Sequence, residues 1–426
     1  MKKDILLIGI ILLCVQAVFT QPDLHSSHKK IEKDTDKIYE NLVKIRRDLH
    51  QFPETAKNEK RTSKIIQKYL LELGLEVKTD IGGYGVVGIL KGNKKGRKIA
   101  WRADMDAIRF QANDRFSFKS QNKGIAHMCG HDVHTAIGLG IANVLVKQKE
   151  SLQGTIYFIF QPAEETFTGA KAMLEDGLLE LIKPDEIYGL HITPFETGVI
   201  TTKPNELFAY QKTVVLKFKP NANADELKSS VKKIFRELSR NKKNSKPWEL
   251  QKMTNREVGL LSPNTAYKDY LFFEPNVRVT RDENSTILKV GLYETNRKRL
   301  KSIPQKIKAK INRTRHRESL ISVNYAQGRP TVINDRKLTE KALGTLKKIY
   351  SDKSIKKLHG QTPYFNEDFI YFQKKIPGVL FFFGGSNVKK NLFAMPHSPD
   401  FAVDEEAIRL GVKQFSSLVM ERAKSN

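Results

Sequence analysis

The alternation of apolar and polar positions divides the chain into short, distinct elements. Ile38, Leu42, Ile45 and Leu49 recur at helical spacing and predict a helix over 36–51, which Pro53 stops. A second helix over 62–73 ends at Gly74, the residue type that most easily takes the left-handed turn closing a helix. Apolar runs at 86–90, 98–102 and 156–161 predict strands, separated by turns or by a helix over 134–147. A helix over 169–181 and a strand over 186–190 follow, while the lysine-rich stretch 22–34, with His25 and His28, reads as an exposed leader. Strands alternating with helices argue for an α/β fold, a mixed or mainly parallel sheet with helices on both faces.

The middle of the chain changes rhythm. It offers a strand at 213–219, a helix at 224–240, extended segments near 250–260 and 270–280, a strand at 286–293, a helix at 297–312 and a strand at 320–325. Leu227, Val231, Ile234, Phe235 and Leu238 give the first helix one apolar face; Leu300, Ile303, Ile307 and Ile311 do the same for the second. Strand–helix–strand–strand–helix–strand is the order of a ferredoxin-like α+β sandwich. After Pro330 the first rhythm resumes, with a helix at 338–350, a strand at 378–383 and a helix at 405–423. The sandwich therefore reads as an insertion, with an α/β domain at 21–203 and 329–426 interrupted by a second domain at 204–328.

Composition sharpens that boundary. The 426 residues carry a formal net charge of +27. Between Gln211 and Arg317, 27 Lys and Arg face 10 Asp and Glu, so a quarter of the chain holds most of the excess. At the N-terminus, Lys2 and Lys3 precede an unbroken apolar run from Ile5 to Val15, the pattern of a secretory signal occupying 1–20 and implying a periplasmic or secreted protein. Cleavage there removes Cys14 and leaves Cys129 as the single cysteine, so no internal disulfide is available and the thiol needs another role.

That thiol sits in the densest chemistry of the chain, His127-Met128-Cys129-Gly130-His131-Asp132-Val133-His134. Cys129 and His131, two residues apart, leave an extended backbone on the same side. Sulfur and imidazole nitrogen together suit a borderline-soft divalent ion such as zinc. Glu164 and Glu165 follow the apolar strand ending at Gln161; adjacent carboxylates point in different directions, so one can bind a metal while the other takes a proton from an activated water. His191 ends another strand, and His397 lies in a proline-rich turn.

Taken in register, these motifs resemble the metal-dependent amidohydrolase branch of the M20 peptidases, which includes hippurate hydrolases, N-acyl-amino-acid hydrolases and auxin-conjugate hydrolases. The resemblance runs through Arg46 to Glu54, Trp101-Arg102-Ala103-Asp104-Met105-Asp106, His127 to His134, Phe160 to Glu165, Gly189-Leu190-His191, Asn366-Glu367-Asp368-Phe369 and Pro396 to Phe401. It implies a metal-dependent exopeptidase-type catalytic domain whose insert acts as a lid. It further implies two divalent ions, zinc or manganese with cobalt or nickel as alternatives, held by Cys129, His131, Glu165, His191 and His397. Glu164 would then be the catalytic general base and acid. Asp104, Asp106, His127, Asp132, His134, Asn276, Glu367 and Asp368 would orient those ligands or meet the substrate, with His127 and His134 open to either role.

Departures from the pattern fall in the insert. The lid segment in which relatives carry a substrate-facing histidine is deleted between Lys219 and the following helix, and Tyr293 stands where the pattern has an arginine for a substrate carboxylate. The leading expectation is an exported amidohydrolase acting on N-acyl amino acids or small peptides, with anionic substrates suited to the basic insert. A second is a metal-binding protein of the same fold with weak or lost turnover. A third makes the insert a polyanion-binding surface; it lacks the interleaved aromatics that stack nucleic-acid bases, so no specific nucleic-acid partner is expected. A homodimer through the insert is the arrangement the resemblance suggests.

Overall fold

A computed structural model describes residues 24–220, 222–241, 246–326, 328–350 and 352–424. The secretory signal expected at 1–20 lies outside the described residues. Eight strands form the main sheet, in the order Glu76–Ile81, Gly85–Lys91, Gln153–Gln161, Lys94–Asp104, Glu186–Glu196, Gly378–Ser386, Ile200–Thr202, Ile355–Lys357. The four central strands run parallel and the flanking pairs are antiparallel, apart from the parallel edge pair Ile200–Thr202 with Ile355–Lys357.

Each central strand is buried on both faces, which explains its unbroken apolar run in the sequence. Ile156, Phe158 and Phe160 point to one side with Ile99, Trp101, Phe381 and Phe383, against the long helices Leu24–Gln51, His131–Val146 and Glu406–Ala423. Tyr157, Ile159, Ala100, Leu380 and Phe382 point to the other, under Met173, Leu178, Phe369 and Phe372. Alternation at period two thus feeds two separate cores from one sheet.

The second sheet has the strand order Leu271–Phe273, Ser285–Glu294, Tyr210–Phe218, Leu320–Tyr325, all antiparallel, with Arg278–Asp282 also paired to Ser285–Glu294. With helices Ala224–Leu238 and Arg297–Ile311 packed through Leu227, Val231, Ile303 and Ile307, it has the connectivity and strand order of a ferredoxin-like sandwich around its own core.

Three expectations are corrected. Residues from 24 onward are not an exposed leader but the first half of helix Leu24–Gln51, where Ile31 extends the apolar stripe of Ile38 and Leu42 and His28 reaches Ser417 at 2.9 Å. The stretch near 250–260 is not extended; it forms turns around the short 3-10 helix Leu250–Lys252 and buries Met253 and Leu260 against the main sheet's second core. The helix expected over 169–181 is two, Gly169–Glu175 and Leu178–Leu181, because Gly177 takes φ +84° between them.

Phe415 ties the first core together, its ring centroid 4.9 Å from that of Trp101 and 5.4 Å from that of Phe383. Phe415→Ala should cost about 3–5 kcal/mol through lost burial and the cavity left behind. Urea unfolding of the two proteins checks this; a loss below about 1 kcal/mol would mean that the site collapses.

Candidate active site

The site lies at the carboxyl ends of the parallel strands, where open α/β sheets leave a crevice. Asp104 and Gln161 end two of those strands, and His191 lies on a third. Gly130, at φ +89°, starts helix His131–Val146; a side chain there would be strained and would press to 3.1 Å from Ile192. Glycine therefore lets Cys129 end the preceding loop while His131 begins the helix.

The three histidines of that stretch are assigned different tasks by their hydrogen bonds. His131 Nδ1 donates to the Asp106 carbonyl at 2.8 Å, and its buried Nε2 has no hydrogen-bond partner. His134 is saturated: Nδ1 donates to Asp104 Oδ1 at 2.6 Å and Nε2 accepts from the Ile192 amide at 2.8 Å. No ring nitrogen of His134 is left for a metal. His127 is buried with both nitrogens unpartnered, and that burial pushes it down to about 3.

His191 donates Nδ1–H to the Ile192 carbonyl at 2.7 Å, which turns its Nε2 towards Cys129 Sγ, 3.3 Å away. His397, at φ +57° in its turn, reaches Glu165 Oε1 at 3.1 Å. Two triads result, Cys129–His131–His191 and Cys129–Glu165–His397, each with ligand atoms within 4.8 Å of one another and both sharing the thiol. Glu164 lies beside them, its Oε2 3.9 Å from His131 Nε2.

Electrostatics show what the cluster is short of. Burial pushes the Cys129 thiol well up, and Glu165 and Glu164 push it further. Burial and the carboxylates of Glu367, Glu165 and Asp368 hold Glu164 well above the usual range. Burial alone would lower His131, but Asp104 and Asp106 outweigh it and raise the imidazole to about 10. Each of these groups is pushed towards its protonated form for want of positive charge. A divalent cation supplies that charge and takes the freed lone pairs, so soft sulfur, two imidazoles with open Nε2 atoms and a carboxylate fit it.

The remaining residues singled out in the sequence sort into supports and one absentee. Asp106 accepts the backbone N–H groups of Glu164 and Glu165 at 3.1 and 3.0 Å, fixing the paired carboxylates. Asp132 is held by Arg46 at 2.9 Å and His50 at 2.8 Å, which keep it well below the ordinary carboxylate range against the effect of burial. Glu367 and Asp368 meet the fully buried Arg102 at 2.9 and 3.3 Å. Asn276 is exposed in the link between strands Leu271–Phe273 and Arg278–Asp282 and joins none of these clusters. Tyr293 is buried, its hydroxyl shared with Glu274 and Gln211 and its ring against Phe272 and Tyr364, so it serves packing.

Some contributors escaped the sequence reading. Arg102 binds Asp104, Gln161, Glu367 and Asp368 at once. Glu59, pushed by burial up to about 7, accepts the Ala163 amide at 2.8 Å and supports a residue at φ +52° just before the paired glutamates. Met253 comes from the insert to line, with Phe208, Phe365, Phe382 and Pro396, an apolar pocket beside His191. Arg102 carried a signal, a charged residue inside an apolar strand; Met253 carried none.

A model of the peptidase family M20/M25/M40 matches residues 100–421. The chain belongs to this family. It is 30% identical over 402 residues to thermostable carboxypeptidase 1 of Saccharolobus solfataricus, covering 92% of this chain and 98% of that one. It is 29% identical over 380 residues to an N-acetyl-L-cysteine deacetylase of Bacillus subtilis, covering 87% and 85% respectively. Among solved structures, a dinuclear metal-binding peptidase of the M20 family from Bacillus subtilis superposes with a TM-score of 0.71 at 25% identity, over 91% of this chain and 98% of that one. The M20 chain described above is thus a hydrolase of amide bonds with metal-dependent chemistry.

Because Cys129 belongs to both triads, Cys129→Ala should remove more bound metal than any other single ligand change, and His131→Ala should remove part of it. Metal analysis of the purified variants tests this; a full complement of metal in Cys129→Ala would place the ions elsewhere.

Proposed function

We propose that this M20 chain hydrolyses the amide bond of N-acyl amino acids or small peptides, using two divalent ions, zinc or manganese, held by Cys129, His131, Glu165, His191 and His397. The observation that carries this reading is the pair of triads sharing one thiol, with a free carboxylate, Glu164, beside them. Ions bound there would supply Lewis acidity to the scissile carbonyl and acidify the attacking water. Glu164 takes that water's proton and passes it to the departing amine. Asp106 accepts the backbone amides of Glu164 and Glu165 and so fixes the loop that carries both carboxylates. The apolar pocket beside His191 is the place for an uncharged acyl group or side chain.

Glu164→Gln should keep its metal and lose about 100- to 10,000-fold in kcat, since an amide cannot accept the proton. Glu165→Gln should lose metal as well as activity. Identical metal contents in the two variants would refute this division of labour.

Tyr293 cannot grip a substrate carboxylate as an arginine fork does, and the lid histidine segment is absent. Loss of one donor to a developing oxyanion costs about 100- to 1000-fold. Turnover of hippurate should accordingly be slow and little changed when its carboxylate is replaced by a carboxamide. Kinetics on matched acyl-amino acids and their carboxamides test this, and fast hippurate hydrolysis with strong preference over the amide overturns it.

A further inference from the structure

The seam between the basic sandwich and the α/β body holds a second concavity of about 450 Å³. Tyr210, Lys212, Arg297 and Lys301 approach from the sandwich, Arg329 and Lys374 from the body. Five of these six are cations, and no carboxylate lines the space. Among the described residues none of the five is ion-paired, although this protein pairs many of its other surface cations. The neighbouring carboxylate, Glu206, accepts the Tyr210 hydroxyl at 2.7 Å and sets one negative charge against these five. Two of the cations are held in place without being neutralised: Arg329 lies 4.0 Å over the Phe167 ring and Lys374 4.9 Å over the Tyr371 ring. Like charges gathered in a concavity repel one another unless an anion joins them.

Position adds a consequence. The chain passes between sandwich and body through a two-stranded ribbon, Asn205–Glu206 paired with Ile333–Asn334, and the cavity lies alongside it. Arg329 also touches Phe167, whose amide donates to the Glu164 carbonyl at 2.7 Å. Anything bound between these cations contacts both bodies and sits one residue from the loop that carries the paired glutamates.

We propose that this seam binds a small polyvalent oxyanion of the phosphate or sulfate type, and that the bound anion ties the sandwich to the body. Guanidinium forks and lysine ammonium groups match tetrahedral oxyanions in shape and charge, and a single carboxylate offsets too little of five cations. The site is separate from the amide-hydrolysing centre and stands whether or not the substrate class proposed above is right.

Isothermal titration of the full metal-loaded chain with inorganic phosphate, and separately with sulfate, tests this at ionic strength held constant with sodium chloride. One saturable site is expected. Arg297→Gln/Arg329→Gln and Lys212→Gln/Lys301→Gln should each weaken binding by at least about tenfold, the scale of one charge-assisted hydrogen bond, while Lys341→Gln/Lys348→Gln should not. Anion-free Lys212→Gln/Lys301→Gln should melt no lower than the parent, since it removes repulsion and, among the described residues, no ion pair, and glutamine keeps most of the Lys212 stem that packs over Gly328; this shows that the variant is folded. Saturating phosphate should also slow amide exchange at 203–210 and 328–333 in the parent and not in the variants. Unchanged binding in both double variants, or a heat that sodium chloride reproduces, overturns the site; binding without slower exchange overturns the tie.

Discussion

The buried guanidinium of Arg102 stands against a crowd of carboxylates, and the catalytic end of the sheet is built on that imbalance. Arg102 is almost wholly inaccessible and contacts Asp104, Glu367 and Asp368, with Glu164, Glu165 and Asp106 close by. Desolvating so many acids beside one cation is costly unless protons or further cations compensate. Protons do so in the bare chain, which is why Glu164, Asp368 and the Cys129 thiol are all pushed upward. The same deficit is the driving force for taking up divalent ions. Arg102 also transmits geometry. Asp104 gives one oxygen to Arg102 and the other to His134, and His134 accepts the Ile192 amide next to His191. A buried arginine thus sets the place of His191 through two intervening side chains.

Wherever one physical effect dominated, the sequence could be read. Strands buried on both faces appear as apolar runs, and Leu320–Tyr325 occupies the very span its pattern implied. The helix over 36–51 was traced too short because lysines and His28 obscure Ile31, whose burial depends on packing against Glu406–Ala423 nearly four hundred residues away. Strand Ile355–Lys357 went unread for a similar reason. Three residues have no periodicity, and only pairing with Ile200–Thr202 makes them a strand. At the site, ligand-type residues announced themselves by chemistry and spacing. Which histidine nitrogens stay open and which are taken is set by carbonyls and carboxylates at 104, 106 and 192, and no local pattern encodes those partners.

The insert shows the opposite balance, with topology legible and use altered. Its strand order is that of a ferredoxin-like sandwich, yet where the resemblance has an arginine, Tyr293 enters an aromatic cluster with Phe272 and Tyr364. The hydroxyl of Tyr293 is already shared between Gln211 and Glu274, so no donor remains pointed at a substrate. A position associated with recognition has become part of a core.

That core continues out of the sandwich. Between Arg240 and Leu271, which exchange hydrogen bonds at 2.8 and 2.7 Å, the chain leaves the sandwich and packs on the body. There Leu260 and Tyr267 offer their carbonyls to the amides of His359 and Gln361, and the Tyr270 hydroxyl donates to the Gln361 carbonyl. The sandwich is therefore attached through the ribbon strands at 205–206 and 333–334, through the Tyr293 and Phe272 rings on Tyr364, and through this docked excursion. A swing large enough to carry new groups to Cys129 and His191 would have to uncover Leu260, Tyr267 and Tyr270, or leave them behind by breaking the Arg240–Leu271 bridge. Exposing a fully buried side chain of this size costs about 1.5–3 kcal/mol each. Met253, within the same excursion, already lines the pocket beside His191. In this chain the insert reaches the site with an apolar wall, and the excursion's buried side chains and hydrogen bonds hold that wall in place.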